Sequence, residues 1–200
     1  TAGMVSLGSA GQTGSYLQFA GNLTTPRFEC GTRASNSNGT YSSSVQSPVC
    51  NITDSLYIGR FGSFVCGAGT LTVGNAPGDG VLVDRGAFQV VNTPTMNVRG
   101  FKMTDMATFS RTIIFGSNST LVSSGPVELN GQLLIIDLSS PDGSYELIRG
   151  NPLTGTFDIV TLPPTGNWSW RIEGNSLWAT RGEVAVEPTT WSRVKGLLSE

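Results

Sequence analysis

The chain has 200 residues, with 12 Lys and Arg against 14 Asp and Glu, no histidine and a formal net charge of -2. That balance excludes the dense basic face that nucleic acid requires, and the lack of histidine removes the commonest general base, the commonest metal ligand and the His-dependent triads. At this length one domain is expected, burying about 70% of its unfolded surface, so no metal is needed to hold a core.

Charged residues make up only 13% of the chain, against a usual ~25%. Glycine, serine, threonine and asparagine fill the gap, a low-charge polar composition that suits extracellular β proteins and chains that assemble. No run of 18 apolar residues occurs, so no membrane-spanning segment is expected. The start, Thr1-Ala-Gly-Met-Val-Ser-Leu7, has neither a charged n-region nor an apolar h-region and reads as a mature end left by processing.

Residues 1–66 read as a polar N-terminal region with the first strands. Ser15–Ala20 alternates and is a candidate strand, either a first rung or an arm. All three cysteines lie at positions 30, 50 and 66. The segment between the first two is too poor in apolar residues to fold alone. A Cys30–Cys50 disulfide would close a loop of about 20 residues, worth roughly 3 kcal/mol in the chain-entropy estimate. Cys50–Cys66 is the rival pairing, and three reduced buried thiols are the alternative. Five Asn-x-Ser/Thr sequons occur, at Asn22, Asn38, Asn51, Asn118 and Asn167, where chance supplies roughly two or three. With a disulfide and few charges they predict a secreted chain carrying covalent glycans.

Residues 67–143 are short apolar segments cut by glycine-bearing turns. Leu71–Val73, Val81–Val83, Phe88–Val91, Met96–Val98, Phe101–Met103, Ile113–Phe115, Leu121–Val122, Val127–Leu129 and Leu133–Leu138 follow one another. Most alternate apolar with polar, the period of a half-buried strand. This predicts an all-β fold, a parallel β-solenoid, with a β-sandwich as the alternative.

Residues 144–182 read as an antiparallel cap of about four strands, separated by Asn151-Pro152, Pro163-Pro164-Thr-Gly166 and Gly174-Asn175. The pattern Gly143-x-Tyr-x-Leu-Ile148, Leu153-x-Gly-x-Phe-x-x-Val160, Leu162-Pro163 and Trp168 through Gly174-Asn-x-Leu-Trp178 resembles the closing segment of autotransporter-type passenger domains. The resemblance spans about 35 residues and implies a right-handed parallel β-helix of adhesin-like type. The translocator barrel of that family has no counterpart in these 200 residues. Trp168, Trp170 and Trp178 are either a cap on the open end of the coil or a sugar-stacking platform. Residues 183–200 change character: Thr190 is placed as a helix cap, and Trp191, Val194, Leu197 and Leu198 then fall at helical spacing.

Candidates for chemistry are sparse. Asp79, Asp84, Arg85, Arg99, Lys102, Asp105 and Arg111 are the charged residues of the ladder that a carbohydrate-active β-helix would draw on. No acidic loop has calcium-ligand spacing, no glycine loop leads into Lys-Ser/Thr, and the threonines are too irregular for a flat repeating rank. The sequence therefore predicts no enzyme, no metal and no cofactor. It predicts an extracellular or cell-surface structural protein, a self-associating subunit of a filament, surface layer or adhesive matrix. A carbohydrate-binding module or a β-helical carbohydrate-active enzyme is the alternative.

Overall fold

A computed structural model describes residues 3–8, 12–31, 37–43 and 47–182. The predicted tail helix of 183–200 lies outside the described residues. Within them the chain is all strand, wound into a parallel β-solenoid of about six turns.

The first strands are β1 (Val5–Leu7), β2 (Gly14–Gln18), β3 (Asn22–Cys30), β4 (Gly39–Ser43) and β5 (Val49–Ile58). The middle turns hold β6 (Gly62–Cys66), β7 (Thr70–Val73), β8 (Gly80–Val83), β9 (Ala87–Val90), β10 (Thr95–Val98), β11 (Phe101–Met103), β12 (Thr108–Ile114), β13 (Leu121–Ser123) and β14 (Val127–Leu129). The last turn and its closure are β15 (Gln132–Leu138), β16 (Gly143–Arg149), β17 (Leu153–Gly155), β18 (Ile159–Thr161), β19 (Ser169–Glu173) and β20 (Ser176–Arg181).

Each turn contributes one strand to each of three faces. Face 1 is the seven-stranded sheet β2-β4-β6-β9-β12-β15-β18. Face 2 stacks the first half of β3, the first half of β5, β7, β10, β13 and β16; face 3 stacks β1, the second halves of β3 and β5, then β8, β11, β14 and β17. β3 and β5 bend across two faces, and their register slips between Thr25 and Arg27, where Pro26 cannot donate to the ladder.

Period-2 alternation puts every second residue inside, and parallel register makes those residues line up as columns. On face 1 Tyr16, Tyr41, Phe64, Phe88 and Phe109 stand directly over one another. Their rings stack at centroid separations of 6.0, 4.3, 5.8 and 6.1 Å. Face 3 supplies Phe28 and Phe101, which meet that column edge-on. Face 2 supplies Leu71, Met96 and Leu121, 25 residues apart and paired in register. Burying each such side chain stabilises the coil by about 1.5–3 kcal/mol.

The corners need special backbone. Gly131 turns from face 3 to face 1 at φ 68°, and a Cβ at Gly62, at the same corner three turns earlier, would collide with the Cys30 carbonyl. At the corner between faces 1 and 2 the ladder is broken, and polar side chains satisfy the freed backbone groups. Gln18 Nε2 donates to the Gly21 and Val49 carbonyls, the Ser43 hydroxyl accepts from Gly67 N–H, and Asn92 Nδ2 donates to the Gly67 carbonyl.

Two expectations change. β16, β17 and β18 pair in parallel with β13, β14 and β15, so 143–161 complete the last turn. Only β16-β20-β19 is antiparallel, with β20 laid where the next rung of face 2 would fall. No disulfide links Cys30 to Cys50: all three cysteines are buried free thiols. The physical reason is that Cys30 lies at the end of face 3, Cys50 in the Leu23–Leu71 column of face 2 and Cys66 on face 1, each serving as a small apolar side chain of its own stack.

Candidate functional site

The outer surface of face 3 carries an open cleft of about 770 Å³. Its floor is one outward column that parallel register assembles from five strands: Glu29, Tyr57, Leu82, Lys102 and Glu128. Its walls are the corners at Pro77–Asp79 and at Ser124–Pro126. Arg27 and Arg99 also face it.

The wall at Asp79 is built locally. The Asp79 carboxylate accepts hydrogen bonds from the Asn75 and Ala76 backbone N–H groups at 3.0 and 2.8 Å, folding 74–79 into a projecting turn. Tyr57 is pinned flat, because its hydroxyl donates to Asp84 at 2.9 Å. Lys102 donates to Glu128 as an exposed ion pair. The side chains of Arg27, Glu29 and Arg99 have no hydrogen-bond or ion-pair partner among the described residues. The cleft thus offers two guanidinium groups and one carboxylate to a ligand, over a mixed aromatic and aliphatic floor.

No family model matches the chain, and neither does any curated protein or solved structure.

Of the charged residues singled out in the sequence, the structure brings Asp79, Arg99 and Lys102 to the cleft. Asp84 and Arg85 stand at the adjoining corner, 4.0 Å apart, with Arg85 in the left-handed region at φ 64°. Asp105 is exposed at the next corner. Arg111 is fully buried, on the far side of the coil. Among the described residues no three Asp, Glu or Cys side chains gather closely enough to hold a metal ion. Glu29 and Glu128 stand four strand spacings apart in their column, about 19 Å, well beyond the 5–9.5 Å of a glycosidase pair.

Sequence reasoning missed Arg27, Glu29, Tyr57 and Glu128. Their signal is visible only once register is known, since successive members of the column, Glu29, Tyr57, Leu82, Lys102 and Glu128, are separated in the chain by 20 to 28 residues.

The remaining sites sort by exposure. Asn22, Asn38 and Asn167 are exposed, Asn51 is half-buried on β5, and Asn118 is half-buried with its amide engaged on both sides. Trp168 is buried and packs on Tyr145 at 5.7 Å, and Trp170 meets Phe157 at 6.1 Å. Trp178 points outward under the Arg171 guanidinium. The three tryptophans therefore share no flat platform; two of them close the coil end and the third lies outside.

Proposed function

We propose that this chain is an extracellular structural protein, the rigid solenoid body of a filament, surface layer or adhesive matrix that joins to copies of itself. The observation supporting this reading is the unbroken set of interior columns, which run through successive turns on three faces and make a stiff rod. The charged residues that chemistry would need are largely spent on the frame: Asp79 folds a turn, Asp84 clamps Tyr57 and Arg111 braces a corner. Glycans on the exposed Asn22, Asn38 and Asn167 belong to the same reading. Light scattering on native preparations tests it. Particle mass rising with concentration is expected, and a strict monomer throughout overturns it.

A second reading, carbohydrate binding, is favoured by one observation. The face 3 cleft presents Arg27, Glu29 and Arg99 without internal partners beside an immobilised Tyr57. A glycan array tests it: retention that is lost in Arg99→Ala supports binding in the cleft, and silence across the array dismisses it.

A further inference from the structure

Face 1 differs from face 3 in charge. Its outward positions, from Ser15 on β2 to Thr161 on β18, hold Ser, Thr, Ala, Val, Gln, Leu and Ile and no charged residue; the charged residues of these strands, Arg111 and Asp137, fall in the inward columns. At the later strands this surface becomes apolar. Ile136, Leu138 and Ile159 are 39%, 49% and 51% exposed, and Phe115, beside Ile114, is 75% exposed. Register places three of them together: Ile114 lies opposite Leu138, Phe115 N–H donates to the Leu138 carbonyl, and Ile136 shares the outward face with Leu138 two residues away, whereas Ile159 lies opposite Gln132, about 13 Å along the strand from Ile136. β18 pairs only with Gln132–Leu134, so no strand of the described residues flanks Ile135–Leu138 on that side. Contiguous exposed apolar surface of this kind marks an interaction site.

We infer that face 1 is the surface through which two copies of this chain meet, apolar patch against apolar patch about a two-fold axis. This rests on the self-associating reading above and names its surface. Charge selects the occupant. An acidic or basic partner finds nothing on face 1 to pair with, and its own charges would be desolvated without compensation. A second copy of the same face brings no charge either, and a two-fold axis makes one patch its own complement.

Size sets the strength. Seven strands of about five residues cover roughly 30 Å by 16 Å, on the order of 500 Å² per copy. A standard stable interface buries about 800 Å² per partner. The pairwise contact is therefore weak.

Sedimentation velocity from about 10 μM to about 1 mM tests this, the range a sub-standard interface demands. The full chain is compared with Ile136→Lys and Phe115→Ser on face 1, and with Lys102→Ala on face 3. Circular dichroism checks that each variant keeps its strands; two face 1 variants are used so that one misfolded protein does not decide the matter. A dimer whose dissociation constant rises at least tenfold in the face 1 variants and is unchanged in Lys102→Ala supports the inference. Association that ignores both face 1 variants overturns it while leaving self-association standing. A wild-type monomer across the whole range overturns both.

Discussion

Arg111 Nε donates a 3.1 Å hydrogen bond to Asn118 Oδ1, inside the corner where face 1 turns into face 2. The other guanidinium nitrogens donate to the Val90 and Asn92 carbonyls at 3.2 and 2.9 Å. Asn118 Nδ2 in turn donates to the Glu146 carbonyl. One buried cation thereby ties together corners of three successive turns. Burial lowers its pKa to about 10, so it remains charged at neutral pH. No carboxylate neutralises it among the partners found; carbonyl oxygens alone solvate the charge.

Removing that brace leaves buried acceptors without donors. Arg111→Ala is expected to cost about 3 kcal/mol or more, since each buried acceptor left without its donor costs about 1–3 kcal/mol. Asn118→Ala should cost about 1–3 kcal/mol. Because the two act through one another, the double variant should be less destabilised than the sum. Urea unfolding measures all three; strict additivity would show that the two residues are not coupled.

The same pair decides which sequons carry sugar. Asn118 spends its amide on Glu146 and Arg111, whereas Asn22, Asn38 and Asn167 are exposed. After secretion from a eukaryotic host, folded protein should show glycan mass on peptides containing the exposed three and none on Asn118. Occupied Asn118 in folded material would contradict the corner geometry.

The thiols make a pH prediction. Burial pushes Cys30, Cys50 and Cys66 from 9.0 up to about 12, with smaller effects from Tyr41 and neighbouring groups. The folded value lies above the unfolded one, so stability is full below about pH 9 and is lost as pH rises toward 12. The loss approaches about 4 kcal/mol per thiol, at ~1.4 kcal/mol per pH unit. Native protein should react slowly with a thiol reagent and show three thiols once unfolded. A Cys66→Ala variant should lose less stability between pH 9 and 12 than the parent; equal losses would remove burial as the cause.

Glu146 gives the opposite slope. Burial alone would raise its pKa, but hydrogen bonds from Arg149 and Ser176 outweigh it and hold the carboxyl below 4.5. The unfolded chain then takes up the proton first as pH falls. Stability is full above about 4.5 and is lost as pH drops through the folded value. In Glu146→Gln that part of the acid loss should vanish. Thermal unfolding at pH 7 and pH 3 measures it, and an unchanged difference between the two pH values would sink the assignment.

Much of this fold is legible in the sequence. Met96–Val98 and Phe101–Met103 alternate cleanly between glycine and proline punctuation, and each is a strand with its apolar residues inside. Thr40-Tyr41-Ser42 is harder to read, because two hydroxyl residues flank one inward ring, yet it is a rung of the same ladder. Strand direction leaves no trace in the period: parallel and antiparallel strands both alternate by two, so 143–161 read as a meander and prove to be a turn of the coil. Arg111 was legible only as a charge, since its Ser-Arg-Thr setting looks like surface and register alone puts it inside. The Glu29–Glu128 column is beyond sequence for the same reason, as its members come from five separate turns.

If the stiff coil serves the mechanical role proposed above, copies of it assemble where the protein is naturally found. Electron microscopy of the protein at its natural density in the source material tests that most directly. Filaments or an ordered layer with a regular spacing are predicted. Well-separated single particles with no order at any density would contradict it.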